Sequence, residues 1–209
     1  MKIDRLVLGV YETNCYVLRS NEAAADCLVV DPGLGAGELT KFIRDHKLNP
    51  VAVVLTHGHI DHIAGVAALR ESYPDIKLYI HELDAEMLLD PGINLSGVMG
   101  SAFTTEPADV CLEDGSFVEQ AGVKLQVLHT PGHTPGGICL YSREEAIVFT
   151  DDTLFAESIG RTDFPGGSMS QLVKCIKQEL CVLPGETIVY PGHGPSTTIA
   201  REKAHNQFL

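Results

Sequence analysis

Apolar residues fall in short β-rich runs broken by polar, glycine- or proline-bearing segments. Residues 3–8, 15–18 and 27–30 read as strands. Asp31-Pro32-Gly33 stops the third, and Leu39, Phe42 and Ile43 then recur at helical spacing. Residues 51–55 are continuously apolar, the pattern of a strand covered on both faces. Ile63, Val66, Ala67 and Leu69, running on through Arg70, predict the next helix. A strand over 77–80 and a short helix over 82–89 follow, the latter ended by Asp90-Pro91-Gly92. The second half predicts strands over 124–128, 137–140 and 146–149, a helix over 171–180, a strand over 187–190 and a terminal helix over 199–205. Strands interleaved with crossover helices in both halves indicate an α/β protein with covered sheets. Periodicity alone does not choose between one doubly wound sheet and two stacked sheets.

Composition narrows the class. With 209 residues, 44% hydrophobic and 21% charged, the chain fits a single globular domain over 1–209. Mean hydropathy is +0.08, and no stretch approaches the roughly 18 apolar residues of a membrane span. Met1-Lys2-Ile3-Asp4-Arg5 carries an acid too early for a secretory signal, so a cytoplasmic location and no membrane partner are expected. A net charge of −13 lacks the clustered lysine and arginine that a nucleic-acid partner requires. The six cysteines form no C-x-x-C pair and read as small buried hydrophobes rather than ligands or bridges. Nine histidines direct attention to metal chemistry.

Unusual residues cluster where four predicted strands stop. Thr56-His57-Gly58-His59-Ile60-Asp61-His62 follows the run 51–55. In extended backbone, i and i+2 point the same way, so His57, His59 and Asp61 are expected to face one cavity, with His62 turning in at the helix start. Three imidazoles and a carboxylate suit zinc or a similar metal, and composition alone would produce H-x-H-x-D-H only about 0.001 times in this chain. The second place is His129 to Gly136, where His133 sits between two Pro-Gly pairs and His129 reads as a packing or hydrogen-bonding residue. The third is Asp151-Asp152, adjacent acids that call for a nearby cation unless one turns to solvent. The fourth is Tyr190-Pro191-Gly192-His193-Gly194. Ligands in α/β proteins converge on the edge where strands end, which makes the four places one hypothesis.

In order and spacing, His57-x-His59-x-Asp61-His62, His133, Asp152 and His193 resemble the metallo-β-lactamase-fold hydrolases. The resemblance runs from about Ile3 to the last residues, through Asn14-Cys15-Tyr16 and Val30-Asp31-Pro32-Gly33. It implies a four-layer αβ/βα sandwich of two mixed sheets with metals at one edge. It also implies two divalent ions: His57, His59 and His133 on the first, Asp61, His62 and His193 on the second, and Asp152 bridging. Zinc is the expected metal, with iron or manganese compatible. Asp151 stands where that family often has glycine; its carboxylate either faces solvent or makes the site more anionic. The implied chemistry is attack of a metal-bound hydroxide on a carbonyl carbon, with Asp61 also orienting the nucleophile.

Residues 155–167, Asn94-Leu95-Ser96 and the ending near Asn206 look like the single-domain glyoxalase II-like branch. That likeness implies hydrolysis of hydroxyacylglutathione thioesters, typically S-lactoylglutathione, by a monomer or small homo-oligomer without the C-terminal helical domain of two-domain glyoxalase II. Arg161 has two readings. It holds a substrate carboxylate, or it ties down its own loop through Asp163. The rival activities are a mononuclear-iron persulfide dioxygenase and a metallo-hydrolase of another ester or lactone.

Overall fold

The computed structural model describes residues 1–209. The chain forms two compact units, residues 1–112 with 118–124, and residues 113–117 with 125–209.

In the N-terminal unit, β1 (Lys2–Leu8), β2 (Thr13–Arg19), β3 (Asp26–Val30), β4 (Asn49–Val54), β5 (Lys77–His81) and β6 (Val110–Leu112) form one sheet in that order. β1, β2 and β3 pair antiparallel, whereas β3 to β6 run parallel, so the sheet is mixed. The parallel pairs need crossovers. They are α1 (Ala36–Asp45) between β3 and β4, and α2 (Ile60–Ile63) with α3 (Val66–Ser72) between β4 and β5. Leu39, Ile43, Ile63, Val66 and Leu69 from these helices close over Val29, Val53, Leu78 and Ile80 of the strands in one buried core.

The helix expected from Ile63 onward is two helices. Gly65 N donates to the Pro32 carbonyl at 2.5 Å, and that tertiary bond interrupts the ladder between α2 and α3. The expected helix over 82–89 is a 3₁₀ segment, Glu82–Leu88, whose first turn is capped by His81.

The second mixed sheet has the order β14 (Thr197–Thr198), β13 (Ile188–Pro191), β10 (Ile147–Asp151), β9 (Ile138–Ser142), β8 (Val123–His129), β7 (Phe117–Gln120). A hairpin of β11 (Leu154–Phe155) and β12 (Ser158–Ile159) leaves its edge. The expected helix over 171–180 is α4 (Met169–Cys175) followed by a π turn, Ile176–Leu180, and α5 (Ile199–His205) closes the chain. Leu172, Ile176 and Leu180 pack on Cys139, Val148, Val189 and Ile199. All six cysteines are free; Cys15, Cys27 and Cys139 are buried as expected, whereas Cys175 and Cys181 are half-buried and Cys111, on the short strand β6, is exposed. Two large mixed sheets with helices match the fold implied by the sequence resemblance.

Candidate metal centre

In the N-terminal unit, β3 and β4 run parallel with Val30 beside Val54, so their C-terminal ends deliver Asp31 and Thr56 to the same edge. Asp31 takes a left-handed backbone, φ 50°, which aspartate tolerates better than most side chains. Its buried carboxylate accepts hydrogen bonds from Thr56 N at 2.9 Å and Thr56 Oγ1 at 2.7 Å, and lies 3.4 Å from His62 Nδ1. The next residues bring two imidazoles together. His57 Nε2 and His59 Nδ1 are 3.0 Å apart, with their rings edge-on. Two imidazole nitrogens on one tetrahedral zinc ion stand at about 3.3 Å, close to this spacing.

The alternation expected through Asp61 stops at His59, which is the N-cap of α2 and extended. Asp61 and His62 lie in the first helical turn, where Asp61 Oδ2 is 3.3 Å from His62 Nε2 and 3.4 Å from the Thr13 hydroxyl. The chain leaving β3 packs tightly on this turn. A Cβ at Gly33 would stand 2.3 Å from the Asp61 carbonyl oxygen.

In the C-terminal unit, β8 is antiparallel to β9 and β9 to β10, so β8 and β10 point the same way, and β13 runs parallel to β10. Three strand ends therefore meet at one edge, and the segments after them carry His133, Asp152 and His193. Asp152 lies between the two rings. One oxygen is 3.6 Å from His133 Nε2 and the other 3.5 Å from His193 Nε2. His133 Nδ1 is 2.7 Å from the Arg161 carbonyl oxygen. A carbonyl only accepts, so Nδ1 carries the proton, and a neutral His133 turns a lone pair at Nε2 toward the carboxylate. A cation between them, a metal ion or a proton on Nε2, satisfies both acceptors. The donor set thus fits a metal ion.

Asp151 is buried, 4% exposed, with φ 43°. It sits at the register shift in which Phe149 pairs with Tyr190 and Asp151 with Pro191. The left-handed backbone explains why glycine suits this slot and why aspartate replaces it at low cost; of the two expected placements for the side chain, solvent is not the one observed. Beyond Asp152 the chain returns at Gly160, where a Cβ would stand 1.7 Å from the Asp152 carbonyl oxygen. The guanidinium of Arg161 makes two 2.7 Å bonds to Asp163 and covers the Phe164 ring at 3.8 Å. That pairing holds the Asp163 carboxyl down at about 2. Of the two readings for Arg161, the loop contact is the one seen. His129 Nε2 bonds the Pro135 carbonyl at 2.9 Å, the hydrogen-bonding role expected of it.

Sequence reasoning assigned no role to Asp31 beyond a strand stop, and none to the Arg161 carbonyl. The first had a signal, an acid placed between an apolar strand and Pro-Gly. The second had none, because a backbone carbonyl carries no residue identity. The buried thiols take no part. Burial pushes Cys27 and Cys139 up to about 12, far from thiolate at neutral pH.

The sequence pattern of the Metallo-beta-lactamase superfamily matches residues 8–193. The chain belongs to that superfamily. It is similar to a Bacillus subtilis protein described as probable metallo-hydrolase YqgX, at 37% identity over 100% of this chain and 98% of that one. It is also similar to the hydroxyacylglutathione hydrolase GloC of Haemophilus influenzae, at 32% identity over 100% and 98% of the two chains. Among solved structures, the BLEG-1 B3 metallo-β-lactamase is 40% identical with a TM-score of 0.94, covering 100% and 99% of the two chains. TTHA1623 in a di-iron-bound form is 36% identical with a TM-score of 0.87, covering 99% and 100%. ETHE1 from Myxococcus xanthus is 31% identical with a TM-score of 0.79, covering 99% of this chain and 84% of that one. The chain is a metallo-hydrolase of the superfamily, and its histidines and aspartates are a donor set for divalent ions. No helix is long and apolar enough to cross a membrane.

Proposed function

We propose that this metallo-hydrolase cleaves hydroxyacylglutathione-type thioesters such as S-lactoylglutathione. The carrying observation is the Asp152 carboxylate set between His133 Nε2 and His193 Nε2, with His133 Nδ1 turned to the Arg161 carbonyl. Its substrate assignment draws support from GloC, alike over essentially both whole chains. His57, His59 and His133 would hold one ion and Asp61, His62 and His193 the other, with Asp152 shared between them; zinc is the proposed metal. When bound, the pair supplies Lewis acidity and brings a water's pKa down toward neutrality.

The protein's own groups do the remaining work. The Arg161 carbonyl keeps the His133 proton on Nδ1 and leaves Nε2 free to ligate, and Asp31 acts on His62 in the same way. Asp61 orients the attacking water. The thiol leaving group takes its proton from solvent. Arg161 serves an anionic substrate only by exchanging Asp163 for the substrate carboxylate, two acceptors of one kind. The enzyme works in the cytoplasm on a small molecule, as a monomer or small homo-oligomer.

A second reading, β-lactam hydrolysis, is favoured by the 40% identity to a B3 metallo-β-lactamase. The test is a substrate panel on metal-replete protein: S-lactoylglutathione, a β-lactam, and oxygen uptake with a persulfide. Thioester turnover that Asp152→Ala abolishes is the expected result. Turnover confined to either other arm contradicts the assignment. For Arg161→Ala, a rise in KM for an anionic thioester well above that for a neutral one is expected. Equal changes would remove Arg161 from substrate binding.

A further inference from the structure

The last helix holds a buried carboxylate that the proposed reaction does not use. Glu202 of α5 is 1% exposed. Its Oε1 accepts from Thr197 Oγ1 at 2.6 Å, and its Oε2 accepts from Glu157 N at 2.8 Å and Asn206 Nδ2 at 2.9 Å. A buried carboxylate is costly without such donors, so these three bonds define where it sits. Asn206 gives its second N–H to the Ser158 carbonyl at 3.0 Å. Helix α5 therefore grips the turn of the β11–β12 hairpin at two consecutive residues. Outside this grip, Arg201 pairs with the Glu157 side chain at the surface.

The gripped turn lies between two determinants of the metal centre. Asp152 precedes the hairpin, while Gly160 and Arg161 follow it, the first packed on the Asp152 backbone and the second bonded through its carbonyl to His133. The third bond reaches the remaining ligand segment. Thr197 pairs with Val189 of β13, and His193 lies in the loop between them. One carboxylate thus touches the segments that carry Asp152 and His193, and reaches the third proposed ligand, His133, through the Arg161 carbonyl that follows the hairpin.

We propose that Glu202 is a positioning residue of the metal centre. It fixes the β11–β12 turn and the loop after His193, and so keeps the Arg161 carbonyl on His133 and Asp152 between the two imidazoles. The inference rests on the metal-centre reading above. What it needs from position 202 is an acceptor toward Glu157 and Asn206, with any partner toward Thr197, whose hydroxyl can donate or accept. Glutamine meets that need with its amide nitrogen on Thr197; alanine does not.

Cobalt(II) titration of metal-free protein, read by its visible d–d absorption, tests this beside thermal melting. Glu202→Ala is expected to weaken cobalt binding by about 10- to 100-fold, the range for lost support of a ligand, and to alter the spectrum at saturation. Glu202→Gln is expected to restore both, and Arg201→Ala to leave both unchanged. Leu180→Ala, which opens the core of the same unit, is expected to lower the melting temperature while keeping the wild-type spectrum. Should Glu202→Ala not fold, Asn206→Ala removes the Ser158 contact with the carboxylate retained, and is expected to act in the same direction. Wild-type affinity and spectrum in whichever variant folds overturn the proposal. Failure of the wild-type protein itself to take up cobalt overturns instead the metal-centre reading beneath it.

Discussion

With its Nδ1 proton held by the Arg161 carbonyl, His133 meets Asp152 as acceptor to acceptor, and that single contact carries an experiment. An amide at position 152 offers an N–H to the imidazole lone pair but is a poor metal ligand. Asp152→Asn is expected to melt no lower than wild type when both are metal-free, and to bind metal more than about 100-fold more weakly, beyond the range for a lost supporting residue. Calorimetric titration with zinc checks it; unchanged affinity would place the bridge elsewhere. Arg161 supports a second prediction. Asp163 titrates at about 2 in the folded chain, below the ordinary value of about 3.9. A depressed carboxyl means that the pair is fully formed above about pH 4 and is lost as pH falls through about 2. Carboxyl-carbon NMR is expected to show that midpoint in wild type, and a return to about 3.9 in Arg161→Ala.

Among the elements, those that formed where the sequence expected them are those whose signal is local. Helix α5 spans Ile199–His205 as expected, and β3, β4, β8 and β10 fall within two residues of their apolar runs. The H-x-H-x-D-H cluster was legible for the same reason, since its residues are contiguous. Two- and three-residue strands such as β6, β11, β12 and β14 are not legible, because pairing partners rather than composition define them. The break between α2 and α3 depends on Pro32, more than thirty residues upstream, and the grip of Glu202 on Glu157 spans a similar distance. Core positions carry their own test. Ile43 of α1 is fully buried, and Ile43→Ala is expected to cost about 2–5 kcal/mol in urea unfolding. A loss under about 1 kcal/mol would contradict its place in the core. Thiol labelling of native protein is expected to reach exposed Cys111 and to spare Cys15, Cys27 and Cys139 until unfolding.

At the scale of the whole molecule, a chain with net charge −13 gathers histidine and aspartate at the strand ends of both sheets. Cations bound there would offset the carboxylate charge. Metal binding and folding are then linked. Zinc at about 100 times its dissociation constant is expected to raise unfolding free energy by about 2.7 kcal/mol over chelated protein. The most direct test of the account is steady-state hydrolysis of S-lactoylglutathione by the zinc-replete enzyme. The account predicts kcat/KM above about 10⁴ M⁻¹s⁻¹, the low end for ordinary enzymes, lost on chelation and regained with metal. A rate at background in zinc-, iron- and manganese-loaded protein would contradict it.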